Sequence, residues 1–87
     1  MKPIVYFTPN ISDENVVNIL KILNPNLVGN IAVKIHSGEP GGHNYLQPQF
    51  IKKVVDYLHG TIVECNTAYD GGRNTSEKHW HTIKEHG

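Results

Sequence analysis

Between Val33 and Asn44 the chain gathers a lysine, two histidines and a carboxylate: Lys34, His36, Glu39 and His43. The segment begins as a β-rich run and ends as a loop rich in glycine, with Gly38, Gly41 and Gly42. Strand ends that open into flexible loops are where α/β proteins place their sites. Imidazole and carboxylate together suit zinc, iron or another divalent transition metal, so His36, Glu39 and His43 form one candidate ligand set. H-x-x-E-x-x-x-H in a loop is no established metal signature. The bland alternative has His36 bonded to the loop backbone and His43 solvated. Lys34 lies mid-strand, where a buried ammonium must find a partner or lose its proton. Glu64 in a later strand is the natural partner. Lys34 then reads either as a substrate-anchoring or acid–base group or as one half of a structural ion pair.

A second candidate region runs through Gly71-Gly72-Arg73-Asn74-Thr75-Ser76 at the start of a helix. Backbone N–H groups, hydroxyls and a guanidinium there could converge on a phosphate or carboxylate. A glycine turn with an ordinary cap explains the same residues. The segment is no P-loop, because no G-K-[ST] follows. His79 and His81 lie two apart on this helix and point in different directions, so they cannot chelate as a pair. His79 is placed to look toward the loops. His59 and His86 sit at helix C-termini, where the dipole alone explains them. Tyr45 and Tyr69 either wall the site or plug the loop bases.

The elements that position these residues alternate. Ile4 to Thr8 reads as a strand. Ser12 caps a helix with Asp13 and Glu14 at its positive end, and Ile11 and Val16 have the spacing of a hydrophobic staple. Val16, Ile19, Leu20 and Leu23 form its apolar stripe, and Asn24-Pro25-Asn26 ends it. Asn30 to His36 is the second strand. Gln47-Pro48 opens a second helix, buried through Ile51, Val54, Val55 and Leu58 and stopped by Gly60. Thr61 to Cys65 is the third strand. Asn74 and Glu77 have capping-box spacing for a third helix, with Trp80 and Ile83 as anchors. The order β-α-β-α-β-α predicts a three-layer α/β domain, Rossmann-like in topology, with a small parallel sheet and right-handed crossovers. Loops 37–46 and 66–74 both leave carboxyl ends of strands, so they should meet at one edge. Three parallel strands leave two open edges, which predicts an incomplete sheet covered by another copy or by further chain.

Eighty-seven residues make one domain, and eight basic against eight acidic residues give no net charge. That balance argues against a nucleic-acid or anionic-membrane surface. No apolar run approaches the ~20 residues of a membrane span, and the short apolar part of Met1–Phe7 lacks a cleavage site. The single cysteine, Cys65, cannot form an internal disulfide or hold an iron–sulfur cluster alone, and its place in a strand reads as a core thiol. A cytoplasmic location fits these features.

The motifs V-K-I-H-S-G-E-P-G-G, Y-L-Q-P-Q-F, N-T-A-Y and G-G-R-N-T-S-E-K-H-W, running in order from Ile31 to Gly87, resemble domain-of-unknown-function family 362. Residues 1–30 match it more loosely. The resemblance implies that Lys34, His36, Gly38, Glu39, Pro40, Asn66, Thr67, Tyr69, Arg73 and His79 are motif positions. Glu64 stands where that family usually has Asp. Family members are several times longer, and many carry 4Fe-4S clusters in a ferredoxin-like region. The resemblance therefore implies the N-terminal part of a redox-associated protein, with 4Fe-4S only if such a region lies downstream. The function expected is a half-site in which Lys34, His36, Glu39 and His79 act on a small anionic or metal-bound metabolite. Arg73, Asn66, Thr67, Tyr69 and Gly38 would hold it. A non-catalytic assembly module, or a fragment without its own activity, is the rival expectation.

Overall fold

A computed structural model describes residues 1–23 and 25–87. Helix α1 spans Asp13–Leu23, strand β1 Ala32–Lys34, helix α2 Pro48–Leu58, strand β2 Thr61–Val63 and helix α3 Ser76–Glu85. The two strands pair in parallel, with Ala32 opposite Thr61 and Lys34 opposite Val63. The chain is thus a small α/β fold with a two-stranded parallel sheet.

The expected first strand is not formed. Residues 4–8 run without regular structure, and Ile4, Val5 and Phe7 are 76%, 85% and 84% exposed. β-propensity alone does not make a strand; it must pair and bury a face. The other strands keep their places but are shorter than the β-rich runs suggest. Cys65 falls just beyond β2 and is exposed, which corrects the expected core thiol.

Helix starts follow local chemistry. Ser12 Oγ accepts the N–H of Asn15 at 3.1 Å, as a cap should. The staple does not close, since Ile11 is 89% exposed. Pro48 occupies the first turn of α2, where its missing N–H costs nothing. Thr75, not Asn74, caps α3, accepting from Lys78 N–H at 3.3 Å. Asn24, the first residue of the expected stop Asn24-Pro25-Asn26, lies outside the described residues. At the end of α2 the left-handed residue is His59, with φ of 50°, rather than Gly60. The N–H groups of both bond back to α2, at Asp56 O and Val55 O.

Helices α1 and α2 pack on each other. Lys53 of α2 reaches Glu14 at 3.1 Å and Asp13 at 3.6 Å, tying the second helix to the start of the first. Helix α3 turns His79 and Thr82 inward, while the expected anchor Trp80 is 62% exposed. Val17 is the one buried hydrophobic residue among those described. The radius of gyration, 15.3 Å, exceeds the ~12 Å of a packed domain of this length. Much apolar surface therefore lies open.

His59 adopts a left-handed backbone that costs a β-carbon-bearing residue about 1 kcal/mol relative to glycine. Replacement His59→Gly should raise unfolding stability by about 0.5–1 kcal/mol in a urea titration.

Candidate functional site

The site is assembled at the carboxyl ends of β1 and β2. Glu64, one residue past β2, sits at its centre with its side chain 8% exposed. One carboxylate oxygen, Oε1, accepts from Lys34 Nζ at 2.8 Å. The other, Oε2, accepts from the Ser37 N–H at 2.7 Å and from the Ser37 hydroxyl at 3.0 Å. Arg73 Nη1 lies 3.7 Å from that oxygen and His79 Nε2 3.8 Å from it. Burial pushes the Glu64 carboxyl up, but the bonds from Lys34 and from the Ser37 backbone and hydroxyl outweigh it and hold it at about 2.

From this centre the network branches. The Ser37 hydroxyl is 3.0 Å from His79 Nε2. His79 Nδ1 is 3.0 Å from Asn66 Oδ1, and Asn66 Nδ2 donates to Ser76 Oγ at 3.2 Å. The amide thus presents its oxygen to the ring, which places a proton on Nδ1. The serine proton has two acceptors within reach, the histidine and the carboxylate, so Ser37 couples one to the other. A Ser–His–Asn array invites comparison with acyl-transfer triads. It does not fit that chemistry, because a carboxylate beside the hydroxyl takes the Ser37 N–H and opposes a developing oxyanion. A proton relay between His79 and Glu64 suits the geometry.

The second branch crosses between the loops. Arg73, 4% exposed, donates through Nη2 to Glu39 Oε1 and to the Tyr69 hydroxyl at 2.9 Å. Tyr69 in turn donates to Glu39 at 2.7 Å. The Arg73 and Tyr69 bonds hold the Glu39 carboxyl below the usual range, and Glu39 pushes the tyrosine hydroxyl up. Arg73 Nε is buried without a partner among the described residues.

Two glycines permit this closeness. A β-carbon on Gly72 would lie 2.1 Å from Pro40 Cγ, so the loops touch there. Gly38 has φ of 90°, and a β-carbon would meet the Tyr45 side chain at 2.7 Å. Tyr45 itself stacks on His86 at 3.9 Å between ring centres. His86 Nδ1 lies 2.7 Å from Ser37 O. The loop after β1 is thereby clamped to the last turn of α3.

The expected residues are partly united. Lys34, Asn66 and His79 join the hydrogen-bonded cluster around Glu64. Glu39, Tyr69 and Arg73 form a second cluster linked to it by the 3.7 Å Arg73–Glu64 ion pair, and Gly38 shapes the loop. Thr67 supports the second loop, its N–H bonded to Arg73 O at 2.9 Å and its hydroxyl to Tyr69 O at 3.0 Å. His36 and His43 stand apart, both exposed. His36 Nδ1 accepts the Gly38 N–H at 2.9 Å, which leaves the ring proton on Nε2. Among the described residues no three His, Cys, Asp or Glu side chains converge as a metal site would require. Ser37 was not singled out from the sequence, and His86 was read there only as a histidine at a helix C-terminus, without its contacts to Ser37 and Tyr45. The spacing of His79, Thr82 and His86 along one helical face was the available signal.

Beside the net runs an open groove of about 500 Å³. Ser37, Glu64, Asn66 and His79 line it together with apolar Ile62, Val63 and Trp80. No described helix is long and apolar enough to cross a membrane. Compared with models of known families, with curated proteins and with solved structures, the chain matches none.

The Glu64 carboxyl is depressed on folding, so its stabilisation is complete above the ordinary carboxylate value of ~4.3. It is lost as pH falls from there toward about 2. Acid unfolding should steepen in that window. Glu64→Gln should flatten it while costing roughly 1–3 kcal/mol at neutral pH, since Lys34 loses its anion and the Ser37 N–H a charged acceptor. Gly72→Ala should destabilise by about 1–3 kcal/mol, read by thermal unfolding, because Pro40 must be displaced.

Proposed function

We propose that this domain contributes one half of a ligand site at the carboxyl ends of its strands, in a redox-associated protein. The observation that carries the reading is the pair of polar clusters that join the two loops, linked through Arg73 and Glu64, the first of them lining an open groove. Lys34 is 56% exposed at its side chain and has donated to two acceptors, Glu64 and Ile35 O, which leaves one donor for a ligand. The Nε2–H of His36 supplies another. Arg73 neutralises the acidic groups behind them. A small anionic metabolite suits these donors, with His79, Ser37 and Glu64 relaying a proton at its edge.

Metal ligation through His36, Glu39 and His43 is the more demanding version. His36 would give up its bond to Gly38, and Glu39 its bonds to Arg73 and Tyr69. The redox association, the iron–sulfur family and further strands completing a Rossmann-like sheet rest on the resemblance of the motifs to family 362. A cluster would need ligands beyond Cys65, in a ferredoxin-like region downstream. A cytoplasmic setting accords with the lone thiol.

An assembly module is the second reading, and the open apolar surface favours it. Ile4, Val5, Phe7, Ile62, Val63 and Trp80 are exposed, and covering them would be favourable at about 25 cal/mol per Å². A partner chain or additional sequence could do so.

Titration with inorganic phosphate and with citrate, followed by amide chemical shifts, should perturb residues 34–44 and 66–74 together. Lys34→Gln should weaken binding about fivefold to tenfold, the worth of one exposed charge-assisted bond. Silence at both loops at millimolar anion, together with absence of stoichiometric metal in the purified protein, would sink the half-site.

A further inference from the structure

We infer that residues 4–8 dock along the free edge of β1 as a third parallel strand, and that the turn after them forms another wall of the proposed site. The strand and its edge follow from the fold. The wall rests on the half-site reading.

The edge is identified by hydrogen bonding. Thr61 N–H bonds to Ile31 O, and Ile35 N–H to Val63 O. Ile31, Val33 and Ile35 therefore turn their backbone groups toward β2. Alternation in a parallel ladder then aims the N–H and C=O of Ala32 and Lys34 the opposite way, at the open edge. Both residues are exposed. An unpaired edge and an unpaired apolar segment in one chain are a mismatch that pairing resolves. Ile4-Val5-Tyr6-Phe7 is apolar throughout, the composition of a strand buried on both faces.

Handedness selects which edge. The crossover from β1 through α2 to β2 fixes the face on which α2 lies. A right-handed crossover from residues 4–8 through α1 to β1 puts α1 on that same face only if the segment lies on the β1 side away from β2. Beyond β2, α1 would occupy the opposite face. Helix α1 packs on α2, with Lys53 bonded to Glu14, so the β1 side is selected.

The turn that follows is already built. Asn10 N–H donates to Thr8 Oγ1 at 3.3 Å, and the Thr8 hydroxyl donates to Asn10 O at 3.2 Å. Asn15 Nδ2 of α1 holds Asn10 O at 3.0 Å. Four residues, 9–12, separate the segment from α1, an ordinary length for such a connection. With α1 fixed, the segment needs only to swing about this turn. A parallel third strand ends where β1 ends, so Thr8, Asn10 and Ser12 arrive beside Lys34 and His36.

Amide hydrogen exchange on the full chain tests the docking. Residues 5–7 should exchange at least about tenfold slower than the same residues in a free peptide, with protection unchanged on dilution. Val5→Pro and Tyr6→Pro bracket both registers, so one of them should remove a donor facing β1 and abolish the protection; Val5→Ile should retain it. Exchange at the peptide rate in the unaltered protein overturns the docking, whether or not the proline variants fold. Protection that vanishes on dilution with loss of a dimer also overturns it, in favour of exchange with a second copy. In the phosphate titration, shifts at residues 8–12 alongside 34–44 support the wall. Shifts at 34–44 without any at 8–12 overturn the wall and leave the half-site standing. Silence everywhere defeats the half-site and leaves the docking to the exchange data.

Discussion

The arrangement of this protein turns on one carboxylate. Glu64 leaves β2 and meets the first turn of chain after β1, so its two oxygens tie the strands' ends together at the point where hydrogen bonding between them stops. A buried carboxylate is expensive unless its lone pairs are taken. Here Lys34, the Ser37 backbone and the Ser37 hydroxyl take them, while Arg73 and His79 stand close. Removing the anion would leave Lys34 and the Ser37 N–H without their acceptor. The loop after β1, the loop after β2 and the inner face of α3 all take their positions from this group.

That dependence explains why polar residues occupy places usually given to a hydrophobic core. Of the five buried non-glycine residues among those described, Ser37, Arg73, His79 and Thr82 are polar and Val17 alone is apolar. The Thr82 hydroxyl donates to Gly72 O at 2.8 Å, so even the most buried side chain serves to fix a loop. Such a net gives geometric definition rather than large net stability, because each bond replaces one to water. Definition is what a binding site needs. The apolar side chains that would ordinarily supply stability lie open on the sheet, on α3 and in residues 4–7. This division, a fixed polar end and an uncovered apolar surface, links the two functional readings, which meet at the groove where Ile62, Val63 and Trp80 lie with Ser37, Glu64 and His79.

Local signals in the chain were legible where local physics decides. Ser12, Gln47-Pro48 and the three helices follow from capping and periodicity, and the parallel order of β1 and β2 follows from the intervening helix. The meeting of loops 37–46 and 66–74 was legible too, because parallel strands must end on one edge. The Lys34–Glu64 pair was readable from the places of the two residues in neighbouring strands. Less legible were Ser37 and His86, whose roles depend on contacts across 42 and 49 residues of sequence. Trp80 illustrates the opposite error. An aromatic at helical spacing reads as an anchor, yet which side of a helix is buried depends on what faces it.

The sequence by itself determined the helices, the neutral charge balance and the set of ionisable residues available at the strand ends. Those depend on interactions within a few residues, which the order of side chains fixes directly. The tertiary structure alone decided how those residues are used: Glu39 bound to Arg73 and Tyr69, His36 turned to its own loop, Cys65 exposed, and Ser37 placed between His79 and Glu64. It also left residues 4–8, strand-like in composition, without a strand partner in this structure. The reason is common to all of these. A side chain's partner, and a strand's existence, are set by what the fold brings alongside, and that is a property of distant chain rather than of neighbouring residues.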